Sequence, residues 1–486
     1  MLTRTRRQFL ADSMIAAAAA ATAGSAGLVV AADTEPQSKS PNERLGVAIV
    51  GVKGRGGSHI GAFAGRKDTQ VLYIVDADRD IGGSRATEVG KRQDMAPKFV
   101  EDIRKALEDP RVDIVSIATP NHLHSLQAIW AVQAGKDVYV EKPVSHNVSE
   151  GRRVVEAAEK YKKIVQTGTQ CRSNPGMIDA IKYVKDGKIG ELKVARGLCY
   201  KRRPSIGAKG EYSPPSSVNY DLWLGPAPMA PVTRKQFHYD WHWQWAYGNG
   251  DLGNQGIHQM DIARWGLGVD ALSNNILSYG GRFSYEDAGE TANTQIVIHD
   301  YGTKSLVFEV RGLETQNYKG AGVGVIFEGT DGYVVVNSYD TGAAFSKDGE
   351  MVAKFSGGAD HFANFLTAVR SRKRSELHAD ILEGHLSSGL CHLGNISYRL
   401  GQSGSLADVE RTVGEFKTTD NVKDTLQRTL DHLKANKVDP NEVKFQVGAP
   451  LTLDPAKEVF PGNDKANAML TREYRAPYTV PAAGKV

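Results

Sequence analysis

A glycine-rich turn that joins a short apolar strand to a helix constrains the fold of this chain more than any other feature. Residues 46–57 read GVAIVGVKGRGG. From there to about residue 166, β-branched runs alternate with helical stretches, a pattern typical of a doubly wound parallel sheet. We therefore predict an α/β Rossmann domain over residues 45–167. Its predicted strands are 47–50, 71–75, 114–117, 138–140 and 164–166, and its predicted helices are 81–91, 103–107, 123–134 and 149–161.

The turn fits the dinucleotide-binding pattern G-x-G-x-x-G from Gly51 to Gly56, with Lys53 at the middle glycine position. That glycine normally gives a diphosphate room to approach the backbone. Here Gly54 provides the room instead, or Lys53 and Arg55 contact a phosphate directly. Gly56 opens a helix, whose free N–H groups would face the diphosphate.

Asp76 ends the second predicted strand, 25 residues beyond Gly51. An acidic residue at this point binds the adenosine ribose hydroxyls and favours NAD over NADP. The pattern predicts an NAD site, because the first strand, the glycine turn, the helix and the acidic residue at the end of the second strand follow one another at the expected spacing. The alternative is a glycine-rich turn in a parallel sheet that holds no nucleotide.

The pattern changes after residue 168, where strands follow one another without intervening helices. This arrangement favours a large, mostly antiparallel open sheet, and we predict an α+β domain over residues 168–402. We expect a C-terminal extension over residues 403–486 to wrap the surface, with an amphipathic helix that carries Leu426, Leu430 and Leu433 on one face. The predicted strands are 192–200, 294–299, 305–310, 323–327 and 333–336, and the predicted helices are 177–186, 361–370 and 383–401.

The N-terminus carries the pattern of a twin-arginine export signal. Residues 5–10 read TRRQFL, and an alanine-rich apolar stretch follows to residue 30. We predict a signal peptide over residues 1–32, a linker over residues 33–44 and a periplasmic or otherwise exported protein. Because this route carries folded proteins, a bound cofactor would leave the cytoplasm with the chain and would have to be held tightly and recycled in place.

Composition excludes several classes of partner. The formal net charge is +4 and the basic residues are not clustered, so we expect no nucleic-acid partner. We expect no membrane association once the signal is cleaved, whereas an uncleaved signal would act as an anchor. The chain has three cysteines, an odd number, and none of them are spaced as C-x-x-C, which argues against a disulfide framework.

Two short motifs follow predicted strands, at the edge where doubly wound sheets bind ligands. One contains Thr119, Pro120, Asn121 and His124, and the other is Glu141-Lys142-Pro143. With the glycine turn and the segment GNQGIH at residues 253–258, they make nearly the whole mature chain resemble the Gfo/Idh/MocA oxidoreductases, in a branch that is exported.

The resemblance implies roles for these residues. Lys142 would contact both the hydroxyl being oxidised and the nicotinamide ribose, and burial would lower its pKa toward that of a working base. In the family the bond before Pro143 can be cis. The alternative is a surface charge pair of Glu141 and Lys142. The resemblance also implies a homodimer or homotetramer that associates through the open sheet, and it implies cofactor contacts from Thr119, Pro120, Asn121, His124, Glu141, Lys142 and Gln170.

A second catalytic candidate is His258. The usual family element is Asp-x-x-x-His on one helix face, and here Asn254 stands at the acidic position. Asn254 could orient the imidazole but could not offset its charge, which would weaken His258 as a base or shift proton transfer toward Lys142. Asp261, three residues on, is a possible replacement carboxylate. The alternative is a core histidine.

Further residues are candidates for substrate binding. Arg172 would serve as a multidentate donor near a sugar, unless it forms a structural ion pair. In the run YDWHWQW, an extended chain would place Trp241 and Trp243 on one face and His242 on the other, which suits a sugar ring. The alternative is a tryptophan stripe in the core or in an interface. His238 and His242 lack a third ligand, so no metal site is predicted.

The favoured function is NAD(P)-dependent oxidation of a carbohydrate hydroxyl by a tightly bound, internally recycled cofactor, NADP being less favoured than NAD. One alternative is redox-neutral, NAD-dependent glycoside hydrolysis by oxidation, elimination, hydration and reduction. Another is a non-catalytic protein that binds a sugar or the cofactor.

Overall fold

The structure, a computed structural model, describes residues 44–486. The predicted signal peptide and the predicted linker up to residue 43 lie outside the described residues. No helix within the described range combines the length and apolar character needed to cross a bilayer.

The N-terminal half forms a six-stranded parallel sheet in the order β3-β2-β1-β4-β5-β6, which confirms the predicted doubly wound α/β fold. Along β1, Val47 and Ile49 pack into the core on one face while Ala48 and Val50 pack on the other, as expected when helices cover both faces. The elements are β1 Leu45–Val50, α1 Gly56–Phe63, β2 Thr69–Val75, α2 Arg79–Gly90, β3 Lys98–Val100, α3 Ile103–Leu107, β4 Ile114–Ile117, α4 Asn121–Gln133, β5 Asp137–Val140, α5 Val148–Lys160 and β6 Val165–Thr167.

The predicted elements of this half agree with the observed ones to within two residues at either end. The edge strand β3 was not predicted, because three half-exposed residues give no periodic signal. The order of strands reverses between β1 and β4, and the loops that follow these two strands border a crevice at their carboxyl ends.

The second half forms an eleven-stranded sheet, with the main order β14-β13-β12-β11-β7-β10-β9-β8-β16-β15 and β17 paired to β8. Only β7 and β10 pair in parallel, which confirms a mostly antiparallel sheet. The elements are α6 Pro175–Lys185, β7 Leu192–Tyr200, α7 Tyr220–Leu224, α8 Gly250–Gly253, α9 Gly256–Leu267, β8 Asn275–Gly281, β9 Thr294–Asp300, β10 Ser305–Arg311, β11 Val323–Gly329, β12 Gly332–Val336, β13 Thr341–Ser346, β14 Met351–Ser356, α10 His361–Ser371, α11 Ile381–Leu400, β15 Gln402–Gly404, α12 Leu406–Glu415, α13 Val422–Ala435, β16 Phe445–Val447, β17 Leu451–Thr452 and α14 Asp464–Ala468. Short 3₁₀ helices span Gln170–Ser173, Asp240–Trp243 and Arg374–Glu376.

The C-terminal extension does more than wrap the surface, because β16 and β17 hydrogen-bond to β8 and join the sheet. The predicted amphipathic helix is α13, and its leucines pack against Leu277 and Ile298 on the outer sheet face. Arg196 on β7 links the sheet to the segment that precedes α13, because it donates to Glu309 at 3.0 Å and to Asp420 at 2.6 Å.

This packing bears on the predicted association of subunits through the open sheet. The outer face of β7 to β10 is covered by α12 and α13 of the same chain. That part of the sheet face is packed within the chain, and the homodimer or homotetramer stays a prediction.

Candidate functional site

A pocket of about 430 Å³ lies at the carboxyl ends of β1 and β4. Its volume is within the range typical of small-molecule sites. Of the predicted site residues, Gly56, Arg172 and Trp243 do not line it. The predicted residues that do are Gly51, Lys53, Gly54, Arg55, Asp76, Thr119, Pro120, Asn121, His124, Glu141, Lys142, Gln170, Trp241, His242, Asn254 and His258.

The glycine turn has the shape that a dinucleotide diphosphate requires. Gly51 has φ 79°, and a Cβ on Gly56 would lie 1.9 Å from the carbonyl oxygen of Gly51. Neither position can therefore carry a side chain without rearrangement. A Cβ on Gly54 would meet no atom within 4 Å, so the backbone there is open toward the pocket. Gly54 thus provides the space that Lys53 removes from the usual pattern, and the turn fits the group.

Asp76 is positioned by the backbone beside this turn. Its two carboxylate oxygens accept hydrogen bonds from the N–H groups of Val52, at 2.8 Å, and Asp78, at 3.0 Å. Burial raises the pKa of Asp76, although these two hydrogen bonds oppose that effect. The carboxylate is therefore fixed at the end of β2, where it can accept further hydrogen bonds from ribose hydroxyls.

Glu141 is buried, 4% exposed, and does not form the surface pair with Lys142 that the sequence left open. Its Oε1 accepts from Arg55 Nε at 2.7 Å and lies 3.2 Å from His59 Nε2, whose Nδ1 lies 2.8 Å from Ser116 Oγ. Burial raises the pKa of Glu141, but His59 and Arg55 outweigh it and hold the pKa well below the ordinary value. The carboxylate thus ties α1 to the end of β5.

Lys142 lies next to this carboxylate and projects into the pocket, where its Nζ donates to the backbone oxygen of Asn254 at 2.8 Å. The Lys142–Pro143 bond is cis. The ring of His124 lies between the carbonyl oxygens of Pro143, at 2.7 Å, and Thr119, at 2.6 Å, and so links the two loops. Burial lowers the pKa of Lys142, against the opposing charge of Glu141.

His258 faces the same pocket from α9 and is 5% exposed. Its Nδ1 is buried without a hydrogen-bond partner in the described part of the chain, and its ring centroid lies 5.0 Å from that of Tyr339. Burial lowers the pKa of His258 well below the ordinary value, and the charge of Lys142 lowers it further. The imidazole is therefore neutral and a weak proton acceptor, with Nδ1 left available for a hydrogen bond to a bound group.

The expected pairing of Asn254 with His258 on one helix face is wrong. Helix α8 ends at Gly253 and α9 begins at Gly256, so Asn254 lies in the turn between them. Its contribution is the backbone oxygen that holds Lys142. Asp261 does not replace the missing carboxylate either, because its oxygens accept from Arg172.

Arg172 is instead the structural ion pair that the sequence allowed as an alternative. It is 6% exposed, and its Nε and Nη2 donate to the two oxygens of Asp261 at 2.8 and 2.9 Å. A further ion pair joins it to Glu383 at 2.9 Å. Arg172 does not line the pocket, and its guanidinium is engaged by these two carboxylates.

The tryptophan run is a 3₁₀ turn and not an extended segment. Successive side chains of such a turn diverge by about 120°, so residues two apart do not share a face. The rings of Trp241 and His242 stack at 3.7 Å and line the pocket. Trp243 is buried elsewhere, with its ring 5.4 Å from the guanidinium of Arg203.

Sequence reasoning missed several polar residues that the fold brings to this pocket. Tyr339, after β12, accepts at its hydroxyl from Gln255 Nε2 at 2.7 Å, and Gln255 Oε1 accepts from Lys201 Nζ at 3.2 Å. Tyr339 and Gln255 line the pocket. Gln255 lies within the GNQGIH segment, of which only Asn254 and His258 were assigned roles, whereas Tyr339 belongs to a segment without a motif and left no signal in the sequence.

Family models match both halves of the chain. Residues 45–169 match the oxidoreductase family model for the NAD-binding Rossmann fold, and residues 208–432 match the C-terminal alpha/beta domain of the same family. Together the two models cover more than two thirds of the sequence.

Among curated relatives, levoglucosan dehydrogenase of Pseudarthrobacter phenanthrenivorans is 27% identical over 206 residues, which is 42% of this chain and 44% of the relative. Inositol 2-dehydrogenase 1 of Saccharopolyspora erythraea is 31% identical over 147 residues, 30% of this chain and 42% of the relative. The chain thus spans less than half the length of these relatives.

Solved structures show the same fold. The WlbA dehydrogenase from Bordetella pertussis, in complex with NADH and UDP-GlcNAcA, aligns with a TM-score of 0.53 at 19% identity over 71% of this chain and 94% of that one. Levoglucosan dehydrogenase in complex with NADH and levoglucosan aligns with a TM-score of 0.54 at 18% identity over 72% and 95%. With both of its domains matched by the models of one family, the chain belongs to the Gfo/Idh/MocA family of oxidoreductases.

Proposed function

We propose that this chain is an NAD-dependent oxidoreductase that acts on a hydroxyl group of a carbohydrate. One observation carries the proposal: the Lys142 amine and the His258 imidazole face the pocket that the glycine turn and Asp76 also line. A proton acceptor and a dinucleotide cradle therefore share one cavity.

The residues that would hold NAD come from three loops. Gly54 and its neighbours would cradle the diphosphate, Asp76 would accept from the adenosine ribose, and the loop from Thr119 would border the nicotinamide end. The negative charge of Asp76 disfavours a 2′-phosphate at the same place, which supports NAD over NADP. When bound, NAD supplies the acceptor for the hydride that leaves the substrate carbon.

Lys142 would accept the hydroxyl proton, and His258 would help to position the hydroxyl. Burial lowers the pKa of Lys142, so a larger fraction of the amine is neutral at a given pH and able to accept a proton. His258 would orient the same hydroxyl through a hydrogen bond to its unpartnered ring nitrogen, because its lowered pKa makes the ring a weak base. Asn254 O holds the lysine in place through the hydrogen bond at 2.8 Å. The alkoxide that forms would be stabilised by the positive charge the lysine has then acquired.

The pocket favours a polyol substrate. The stacked pair of Trp241 and His242 offers an apolar face with a polar edge, the combination that binds sugar rings. Gln255 and Tyr339 add hydrogen-bonding groups on another side. The names of two relatives, levoglucosan dehydrogenase and inositol 2-dehydrogenase, point to the same substrate class.

The proposal includes export by the twin-arginine route with NAD held tightly and recycled in place. Its support is the TRRQFL segment followed by an apolar stretch, together with the scarcity of free nicotinamide cofactor outside the cytoplasm. Recycling would require a second sugar or keto-sugar as acceptor, or the redox-neutral cycle that cleaves a glycoside.

The test is a screen of free sugars and glycosides with the mature protein, preceded by mass spectrometry of the small molecules that the purified protein releases. Reduction of bound NAD by a free sugar supports the proposal. Deuterium uptake from solvent at carbon 2 of a glycoside would identify the redox-neutral cleavage instead. If the protein releases NAD but no member of the panel reduces the bound NAD or is turned over, the chain is a binding protein and the enzyme assignment is refuted.

A further inference from the structure

A second cleft, of about 340 Å³, shares no lining residue with the pocket described above. Five segments of the chain meet around it: the loop before α5, the loop after α7, the residues that precede α8, the second half of α11 and the C-terminal tail. None of the residues assigned to cofactor or substrate lines this cleft.

The cleft holds two guanidinium groups that no carboxylate of the described chain pairs with directly. Arg472, from the tail, donates through Nη1 to the backbone oxygen of Ala246 at 3.0 Å and to His146 Nδ1 at 3.2 Å. Arg399, from α11, is exposed at the rim and lies over Trp245 with 5.0 Å between its guanidinium carbon and the ring centroid. Burial lowers the pKa of Arg472, which is the cost of enclosing a cation without a paired anion.

Two imidazoles add buried ring nitrogens without partners. Arg472 can only donate, so His146 Nδ1 must accept, and in the neutral ring the proton is then on Nε2. That Nε2 is buried without a partner. His392 is 3% exposed; its Nε2 lies 3.2 Å from Ser145 Oγ, and its Nδ1 is likewise buried without a partner. Unsatisfied buried polar atoms of this kind are unusual in folded proteins and call for a ligand or an ordered solvent molecule.

Acidic groups do not neutralise the cleft. Glu473 is the acidic residue among the described residues that line it, and its side chain is exposed at the mouth. Glu150 and Glu290 act on Arg472 and Arg399 only through space, with no hydrogen bond to either guanidinium. The interior of the cleft therefore presents positive charge and N–H donors to whatever enters.

We propose that this cleft is a binding site for a small oxyanion, a phosphate or a carboxylate, held by Arg472, Arg399 and the N–H of His146. Guanidinium groups match the geometry of both anions through paired hydrogen bonds. The site is independent of the proposed oxidoreductase activity, because it rests on residues outside that pocket.

The test measures the melting temperature of the mature protein as sodium phosphate is increased. NAD is present at saturation, so that phosphate cannot bind at the glycine turn. Sodium chloride keeps the ionic strength constant. A parallel series uses sodium glucuronate. An anion that binds the folded protein raises the melting temperature with concentration. Saturation by phosphate alone, by glucuronate alone or by both supports the site when Arg399→Gln weakens it, and that condition separates binding here from binding of glucuronate in the sugar pocket.

Variants locate the effect. Arg399→Gln and Arg472→Gln are each expected to weaken the apparent affinity at least tenfold, and Arg399 is exposed enough that its variant should fold normally. Arg411→Gln, which alters an exposed arginine of α12 paired with Asp408, is the matched control and should change nothing. No anion-dependent shift, or an equal shift in Arg399→Gln and the parent protein, overturns the proposal.

Discussion

Replacement of Lys142 by methionine tests the proposed chemistry most directly. Methionine keeps the length of the side chain and removes the amine, so it deletes the group that would accept the hydroxyl proton. The hydrogen bond to Asn254 O is lost as well. Because that oxygen is part of a half-exposed turn and can be solvated, the loss should cost about 1 kcal/mol of stability, too little to unfold the domain.

The kinetic effect should be much larger. A positioned acid–base group contributes about 10²- to 10⁴-fold to rate, so kcat of Lys142→Met should fall by that factor, about 2.7–5.4 kcal/mol of activation free energy. NAD should remain bound, because the glycine turn and Asp76 are untouched. A loss in kcat with retained cofactor is the expected signature of a group that acts mainly in the transition state.

The pH profile provides a second readout. The protonated amine cannot accept a proton, so the oxidation rate should fall as the pH falls through the pKa of Lys142. Burial places that pKa below the ordinary value of a lysine. In Lys142→Met this limb of the profile should disappear. The assay follows the absorbance of NADH as an oxidisable sugar reduces the bound NAD in a single turnover, together with the NAD content of each preparation.

Lys201→Met is the matched control, because Lys201 is a second lysine near the pocket that contacts Gln255 at 3.2 Å. Its removal should change KM more than kcat. Unchanged turnover in Lys142→Met, or an equal loss of kcat in Lys201→Met, would refute the assignment of Lys142 as the proton acceptor.

Three further predictions concern the cofactor and the fold. Heat denaturation of the purified mature protein should release close to one NAD(H) per chain, measured by chromatography; a preparation without cofactor that works only with added NAD would contradict the trapped-cofactor proposal. Asp76→Ser should weaken the affinity for NAD about 10- to 100-fold, because it removes a charge-assisted hydrogen bond of about 1.5–3 kcal/mol. In titrations of the cofactor-free protein, the affinity for NADP should rise relative to that for NAD. Arg172→Leu should lower the free energy of unfolding by about 3–5 kcal/mol in urea denaturation, because it leaves Asp261 buried and unpaired, yet the folded fraction should keep its turnover. A stable variant with impaired substrate binding would restore Arg172 to the substrate site.

The Rossmann half was predictable because its signals are local. Each strand of this half is a short β-branched run, and the glycines at positions 51 and 56 are required by backbone geometry that any sequence with this turn must satisfy. The edge strand β3 and the strands β13 and β14 were missed, because short or exposed strands leave no periodic pattern.

The errors in the site arose where a local rule was extended beyond its element. The spacing of Asn254 and His258 suggested one helix, but the chain breaks between Gly253 and Gly256, and only the packed structure shows the break. Alternation in the tryptophan run suggested an extended segment, but hydrogen bonds of a 3₁₀ turn set its geometry. Arg172 looked like a ligand donor because its partner Asp261 is 89 residues away.

The sequence alone therefore determined the doubly wound fold, the position of the glycine turn and the strand-end residues Asp76 and Lys142, since these depend on backbone geometry and on short-range order. The tertiary structure decided the rest: that Asn254 holds Lys142 through its backbone oxygen, that His258 lacks a partner, and that the tail covers the outer sheet face. Contacts between segments a hundred or more residues apart depend on how the elements pack, and no local pattern in the chain encodes them.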